Sequence, residues 1–339
     1  MISQACVLIP NHTPHFFEGT ETPFFFNNIK DTLSVPNGFF LQPFLILQPA
    51  VFLPKVAKLN VELAQAPLGR TQMYTQSNPG VSTIKETFVS HVKVIQKQIQ
   101  NGVIQKAVAV RRTTLPFHSQ VSFFQLIEQL KTHASHAYCT LFAGKSGVYL
   151  AASPELLLAG NPHQTLITDA LAGTAPWTQK NEMGTKEKNE QEWIVTHLEE
   201  VFKKRQIPFN KEADTLHRAQ NLVHYLNRFT FSLSQPHDWY PLLSLLHPTP
   251  AVGGYPKDQA LELIASLENN ARGWYSGFAG FVSPQYLHFS VNIRCAVIQN
   301  NHITFWAGAG ITQDSDPEKE WNETEIKTQV MQQLLRPFL

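Results

Sequence analysis

The chain has 339 residues, 43% of them hydrophobic and 16% charged, with a formal net charge of +1. So even a balance leaves no broad electrostatic footprint for nucleic acid or an acidic membrane surface, and the apolar fraction is that of an ordinary globular protein. The three cysteines, Cys6, Cys139 and Cys295, are too few and too unevenly spaced for a disulfide framework or a cysteine metal cluster, which points to a reducing, cytoplasmic compartment.

The first residues lack the basic stretch and uninterrupted apolar core of a secretory signal. Up to about residue 80 the chain is rich in Phe and Pro with Asn/Gly turns, and it predicts short scaffold strands. Its most apolar run, residues 39–53, is broken by Gln42, Pro43, Gln48 and Pro49, so it reads as buried strands with turns rather than a membrane span. Over residues 83–100 the apolar Phe88, Val92, Ile95 and Ile99 recur at helical spacing, and Asn101-Gly102 supplies a stop. A strand over residues 103–111 follows, with Gln105, Ala107, Ala109 and Arg111 on one face and Lys106, Val108 and Val110 on the other. Lys106 thus shares an apolar face, either snorkelling its ammonium to solvent or buried for a reason.

A second amphipathic helix is predicted over residues 121–131, then a hairpin of residues 137–143 and 148–151 around Gly144-Lys145-Ser146-Gly147. In residues 247–257, His-Pro-Thr-Pro-Ala-Val-Gly-Gly-Tyr-Pro-Lys, prolines and glycines predict a shaped loop before another amphipathic helix. Strands are expected at residues 286–298 and 302–306, then a glycine-rich turn at 307–311 and a last helix over 317–335. Hairpins interspersed with helices predict an α/β (α+β) fold: a large, mainly antiparallel sheet layered by helices.

Two acidic clusters carry candidate chemistry. Glu187 and Glu190 are three residues apart, as are Glu320 and Glu323, so each pair projects from one helix face. Either pair alone reads as a solvated helix surface. Four facing carboxylates would repel one another unless a hard cation lay between them, and an all-oxygen donor set suits Mg2+.

Ala152-Ser153-Pro154-Glu155-Leu156-Leu157, Ala170-Leu171-Ala172-Gly173-Thr174, the 247–257 loop, Arg272-Gly273-Trp274-Tyr275-Ser276-Gly277, Ile293-Arg294-Cys295 and Ala307-Gly308-Ala309-Gly310-Ile311 occur here in one order. From about residue 85 onward the set closely resembles the chorismate-utilising enzymes: isochorismate, salicylate, anthranilate and aminodeoxychorismate synthases. The resemblance implies one structural domain with an antiparallel β-sandwich-like core wrapped by helices and a deep active-site cleft. Residues 1–80 are its weakly matched scaffold, and residues 81–339 its catalytic region. It implies Mg2+ bound directly by Glu190 and Glu323, with Glu187 and Glu320 behind them through water. It also implies Lys106 as the base that deprotonates water and Glu155 as the acid that protonates a departing hydroxyl. His224 aligns with a histidine near the reacting ring. Gly173, Thr174, Ala251, Tyr275, Arg294, Gly308, Gly310 and Lys327 match the substrate-binding register, the enolpyruvyl carboxylate meeting Arg294, Tyr275, Lys327 and backbone N–H groups around residues 308–310. Taken singly, Arg294 reads as an ion pair, Tyr275 as a core aromatic and Lys327 as an exposed helix residue.

Within that family Lys106 argues against anthranilate synthase, and no glutamine-amidotransferase partner is expected. Ala251 favours isochorismate release over salicylate formation. The expected protein is a Mg2+-dependent isochorismate synthase, monomeric, without nucleic-acid or membrane partners, serving menaquinone or siderophore synthesis. Alternatives are a salicylate synthase and a catalytically silent chorismate-binding protein. Gln191, Trp193 and Ala175-Pro176-Trp177 depart from the family pattern near substrate entry.

Overall fold

In the computed structural model, residues 2–24, 37–45, 50–54, 82–145, 147–219, 222–268, 272–299 and 301–339, with Gln48, Gln65 and Leu68, are described. Much of the expected scaffold between residues 55 and 81 therefore lies outside the described residues, as do Ser146 and Asn300 of two expected turns. Helices are α1 (Lys85–Gln100), α2 (Phe123–His133), α3 (Thr185–Arg205), α4 (Trp239–Leu246), α5 (Lys257–Glu268) and α6 (Pro317–Leu335).

Two antiparallel sheets of eight and ten strands form the frame among the described residues. The first runs in the order Gly254–Tyr255, Lys106–Pro116, His302–Ile311, Cys295–Gln299, Gly147–Ser153, Tyr138–Gly144, Ser3–Leu8, His15–Gly19. The second runs Phe209–Lys211, Leu222–Phe231, Leu166–Pro176, Leu156–Gly160, Leu287–Val291, Phe278–Val282, Gly38–Gln42, Ala50–Pro54, Thr22–Phe24, and Thr215–Ala219 also pairs with Leu222–Phe231. Early strands thus join both sheets.

Alternation along each strand explains the layering. On the first sheet, Val108, Val110, Phe142 and Tyr149 point inward and meet Phe39 and Phe281 of the second. Each such aromatic removes enough apolar area from water to contribute roughly 2–3 kcal/mol. Opposite-parity residues turn outward: Ala107 and Ala109 pack under Phe88, Val92 and Ile95 of α1, while Leu141, Leu150 and Ala296 meet α2 and the end of α6. Helices α3 and α4 cover the outer face of the second sheet through Leu198, Phe202, Leu243 and Leu246. The result is the expected sandwich wrapped by helices, with Lys106 on the inward face.

The strand expected over residues 103–111 begins at Lys106 and runs to Pro116, and three further expectations need correction. Helix α1 starts two residues later than predicted, because residues 82 and 83 line the edge of Lys106–Pro116: Thr83 N–H donates to Arg112 O, and its hydroxyl accepts from Arg112 N–H. The single strand expected over residues 286–298 is two strands, one in each sheet, and the chain crosses between them at residues 292–294. Arg294 takes a φ of +48° there, a left-handed conformation uncommon for a non-glycine residue. The glycine-rich segment 307–311 is not a turn; it continues strand His302–Ile311 and pairs residue by residue with Lys106–Pro116.

Candidate active site

One cleft gathers every site residue predicted from the sequence except Glu320, which is buried behind it. Lys106 opens its strand and is 1% exposed. Its Nζ lies 3.1 Å from Glu190 Oε2. That approach requires glycine at 310: a Cβ there would sit 2.7 Å from both Glu190 Oε2 and Lys106 Cε. Gly173, at φ +59°, plays a similar part under α3, since a Cβ would meet Glu187 O at 2.6 Å.

Glu155 sits between Gly147–Ser153 and Leu156–Gly160, where the chain passes from the first sheet to the second. Ser153 Oγ accepts from its backbone N–H and Thr249 Oγ1 donates to its Oε1 at 2.9 Å. Burial raises its pKa to about 7, against the opposing pull of the Thr249 hydrogen bond and Lys106. Near neutral pH the carboxyl therefore carries a proton much of the time.

On the anchoring side, Arg294 donates to His224 Nε2 at 3.1 Å, which makes Nε2 an acceptor and leaves Nδ1–H to meet Thr174 Oγ1 at 3.2 Å. Burial, then the positive Arg294 and Lys327, hold His224 well below its ordinary pKa, so the ring is neutral and both nitrogens are occupied. Burial also lowers the Arg294 pKa to about 10. Tyr275 stacks on Trp306 with centroids 5.5 Å apart. Beyond Trp306, strand His302–Ile311 has lost its neighbour Cys295–Gln299, and Gly308 O points to the open side to accept from Lys327 Nζ at 3.0 Å. The N–H of the same residue points that way too, as strand geometry demands. The glycines thus offer donors to the cleft from a strand edge.

The four glutamates project from α3 and α6 as the spacing predicts. Glu320, Glu323 and Lys327 form one stripe of α6. Lysines hold three of the carboxylates: Lys106 with Glu190, Lys327 with Glu323 at 2.6 Å, and Lys186 with Glu320 at 2.6 Å. Glu187 caps the N–H of Gly184. Among the described residues no three carboxylates converge as they stand. The donor set nevertheless fits a hard cation, because Glu320 Oε2 is buried without a hydrogen-bond partner among the described residues. Burial first, then Glu323, raises the Glu320 pKa; at Glu323 burial pushes up, but Lys327, Lys186 and Lys106 together outweigh it and lower the pKa.

Three residues escaped sequence reasoning. Lys186 lines the cleft; burial would lower its pKa, but Glu320, Glu190 and Glu323 together raise it. Thr249 holds Glu155. Arg272 donates to Val252 O at 2.6 Å and Val108 O at 2.8 Å while paired with Glu268, stapling the 247–253 loop to the Lys106 strand. Only its place in a motif could have flagged it. Of the departures, Gln191 is buried and donates to Ala170 O and Asn227 Oδ1, and Trp177 packs beneath Lys180 and Arg218. Neither lines the cleft, and nor does Trp193.

The sequence model of the family described as "Chorismate binding enzyme" matches residues 54–336, and the chain belongs to that family. It is 32% identical over 260 residues to the isochorismate synthase MenF of Escherichia coli, covering 72% of this chain and 59% of that protein. It is 30% identical over 254 residues to MenF of Haemophilus influenzae, again covering 72% and 59%. The chain thus spans about three fifths of the length of these relatives. The solved structure of MenF, the menaquinone-specific isochorismate synthase from Escherichia coli, superposes with a TM-score of 0.78 at 23% identity, covering 98% of this chain and 88% of that one. Anthranilate synthase component I from Streptococcus pneumoniae shares the fold with a TM-score of 0.65 at 16% identity, covering 98% and 92%.

Proposed function

We propose that the chain is an isochorismate synthase, converting chorismate reversibly to isochorismate. The observation that carries this reading is the pairing in one cleft of a buried lysine, Lys106, with a carboxyl, Glu155, whose pKa of about 7 equips it to give up a proton near neutrality. Hydroxyl exchange needs both partners, because water is a poor nucleophile and hydroxide a poor leaving group. Lys106 takes a proton from water as its oxygen bonds to C2. The ring double bonds shift, the C4–O bond breaks, and Glu155 protonates the departing hydroxyl, which leaves as water. Neither atoms nor electrons are gained overall.

Arg294, held by neutral His224, and Lys327 at the Gly308 edge anchor the enolpyruvyl carboxylate, with Tyr275 closing that end. Glu190 and Glu323 would hold Mg2+ directly, with Glu187 and Glu320 behind them, and the cation would supply positive charge for the ring carboxylate. The small Ala251 side chain at the cleft wall leaves the enolpyruvyl group unconstrained, which favours isochorismate release over pyruvate elimination. Buried, unpaired Cys6, Cys139 and Cys295 suit a reducing cytoplasm, and no described helix is long and apolar enough to cross a membrane. We place the enzyme there as a monomer with no amidotransferase partner. The deciding experiment is incubation with chorismate and Mg2+ followed by chromatography. Isochorismate is expected as the main product; salicylate and pyruvate in equal amounts would establish the salicylate synthase reading instead, and recovery of unchanged chorismate that of a silent binder.

A further inference from the structure

We infer that Thr249 is a positioning residue for Glu155, fixing which carboxyl oxygen carries the proton delivered to the leaving group. The inference rests on the reading of Glu155 as that proton donor. Thr249 Oγ1 donates to Glu155 Oε1 at 2.9 Å, and both residues are buried. An oxygen that accepts a hydrogen bond is the carbonyl-like one when the carboxyl is neutral, so the proton resides on Oε2. Among the described residues Oε2 has no hydrogen-bonding partner, which leaves it free for the substrate.

The hydroxyl can do this only if its own loop is held, and it is held at both ends. Before it, Lys257 Nζ donates to Leu245 O and His247 O at 3.0 and 2.7 Å, and the His247 ring meets Phe44 O. After it, Val252 and Gly253 N–H return to Thr249 O, Gly253 O accepts from Val108 N–H, and Gly254–Tyr255 pairs with Ala107 and Lys106. The loop that orients the acid is therefore hydrogen-bonded directly to the strand that carries the base. This fixes the separation of the two proton-transfer groups more tightly than either sheet alone would.

Lys106 is the charged group of the cleft that acts on Glu155, Asp169 acts on it from outside the cleft lining, and Lys186, Glu187, Glu190, His224, Tyr275, Arg294, Glu323 and Lys327 line the cleft beyond. Thr249→Val leaves all of these in place and removes only the donor, at nearly constant volume. Thr249→Ser restores the donor. In steady-state kinetics over pH 5–9 with Mg2+ and chorismate, Thr249→Val should lower kcat by about tenfold to a hundredfold, with KM little changed. Its alkaline limb should move upward by about one pH unit, because the lost hydrogen bond favoured the carboxylate. Thr249→Ser should restore rate and limb. A structural role alone would alter stability and leave the limb in place. Thr249→Val in a Glu155→Gln background should add little further loss. A folded Thr249→Val enzyme with an unmoved limb, or a full additional loss in the double variant, would overturn the inference. Unimpaired turnover of Glu155→Gln alone would instead remove the assignment of Glu155 as acid.

Discussion

Replacing Glu155 by Gln should slow the enzyme and stabilise the protein at once, and the size of the second effect follows from the site. The native carboxyl has its pKa raised from 4.5 to about 7 by burial. Between those values the folded protein keeps a proton that the unfolded chain has released, so the native state binds more protons and stability falls as pH rises. At roughly 1.4 kcal/mol for each pH unit, the burial of Glu155 costs about 3 kcal/mol above pH 7 and nothing below pH 4.5. Glutamine has no charge to desolvate and keeps an oxygen for Thr249. The stability advantage of Glu155→Gln over the unaltered protein should therefore grow by about 3 kcal/mol between pH 4 and pH 8, read from urea unfolding midpoints at each pH. Over the same range kcat should stand about a hundredfold to ten-thousandfold lower, the usual worth of a positioned acid. A stability difference that does not change with pH would refute the buried proton, and near-normal turnover of the folded variant would refute its use.

Lys106→Ala should cost about two to four orders of magnitude in kcat while circular dichroism shows a folded chain; an active variant would end its role as base. Chelation with EDTA should abolish turnover and Mg2+ restore it, with Glu190→Gln and Glu323→Gln weakening metal binding in calorimetry more than Glu187→Gln or Glu320→Gln. Equal losses at all four would undo that ranking. Gly310→Ala places a methyl group 2.7 Å from Glu190 Oε2 and Lys106 Cε; because both side chains must then move, kcat should fall about a hundredfold or more with the fold intact. Unchanged kinetics would mean that the site does not need the close contact.

How far the site could be read in advance depended on whether its parts were local. The inward face of Lys106, the paired glutamates of α3 and α6 and the place of Glu155 between two strands were legible, because period 2 and period 3.6 report which face a residue takes. Glycines at 308 and 310 misled. Their sequence signal is the same whether backbone must turn or side chains must approach, and here the reason is side chains packed on a regular strand, Val108 and Tyr275 against Gly308, Lys106 and Glu190 against Gly310. The crossing at residues 292–294 was hidden because apolar alternation runs on through a change of sheet; only the left-handed Arg294 marks it. Least legible were Lys186, Thr249 and Arg272, whose partners lie 134, 94 and up to 164 residues away. None of these contacts has a local signature. Side-chain pairs nevertheless explain how four carboxylates coexist on two helices: Lys186 and Lys327 each neutralise one and Lys106 Nζ lies against Glu190, so the folded chain tolerates the cluster before any cation arrives. The proposed Mg2+ site requires negative charges held close, and the paired lysines make that proximity compatible with folding.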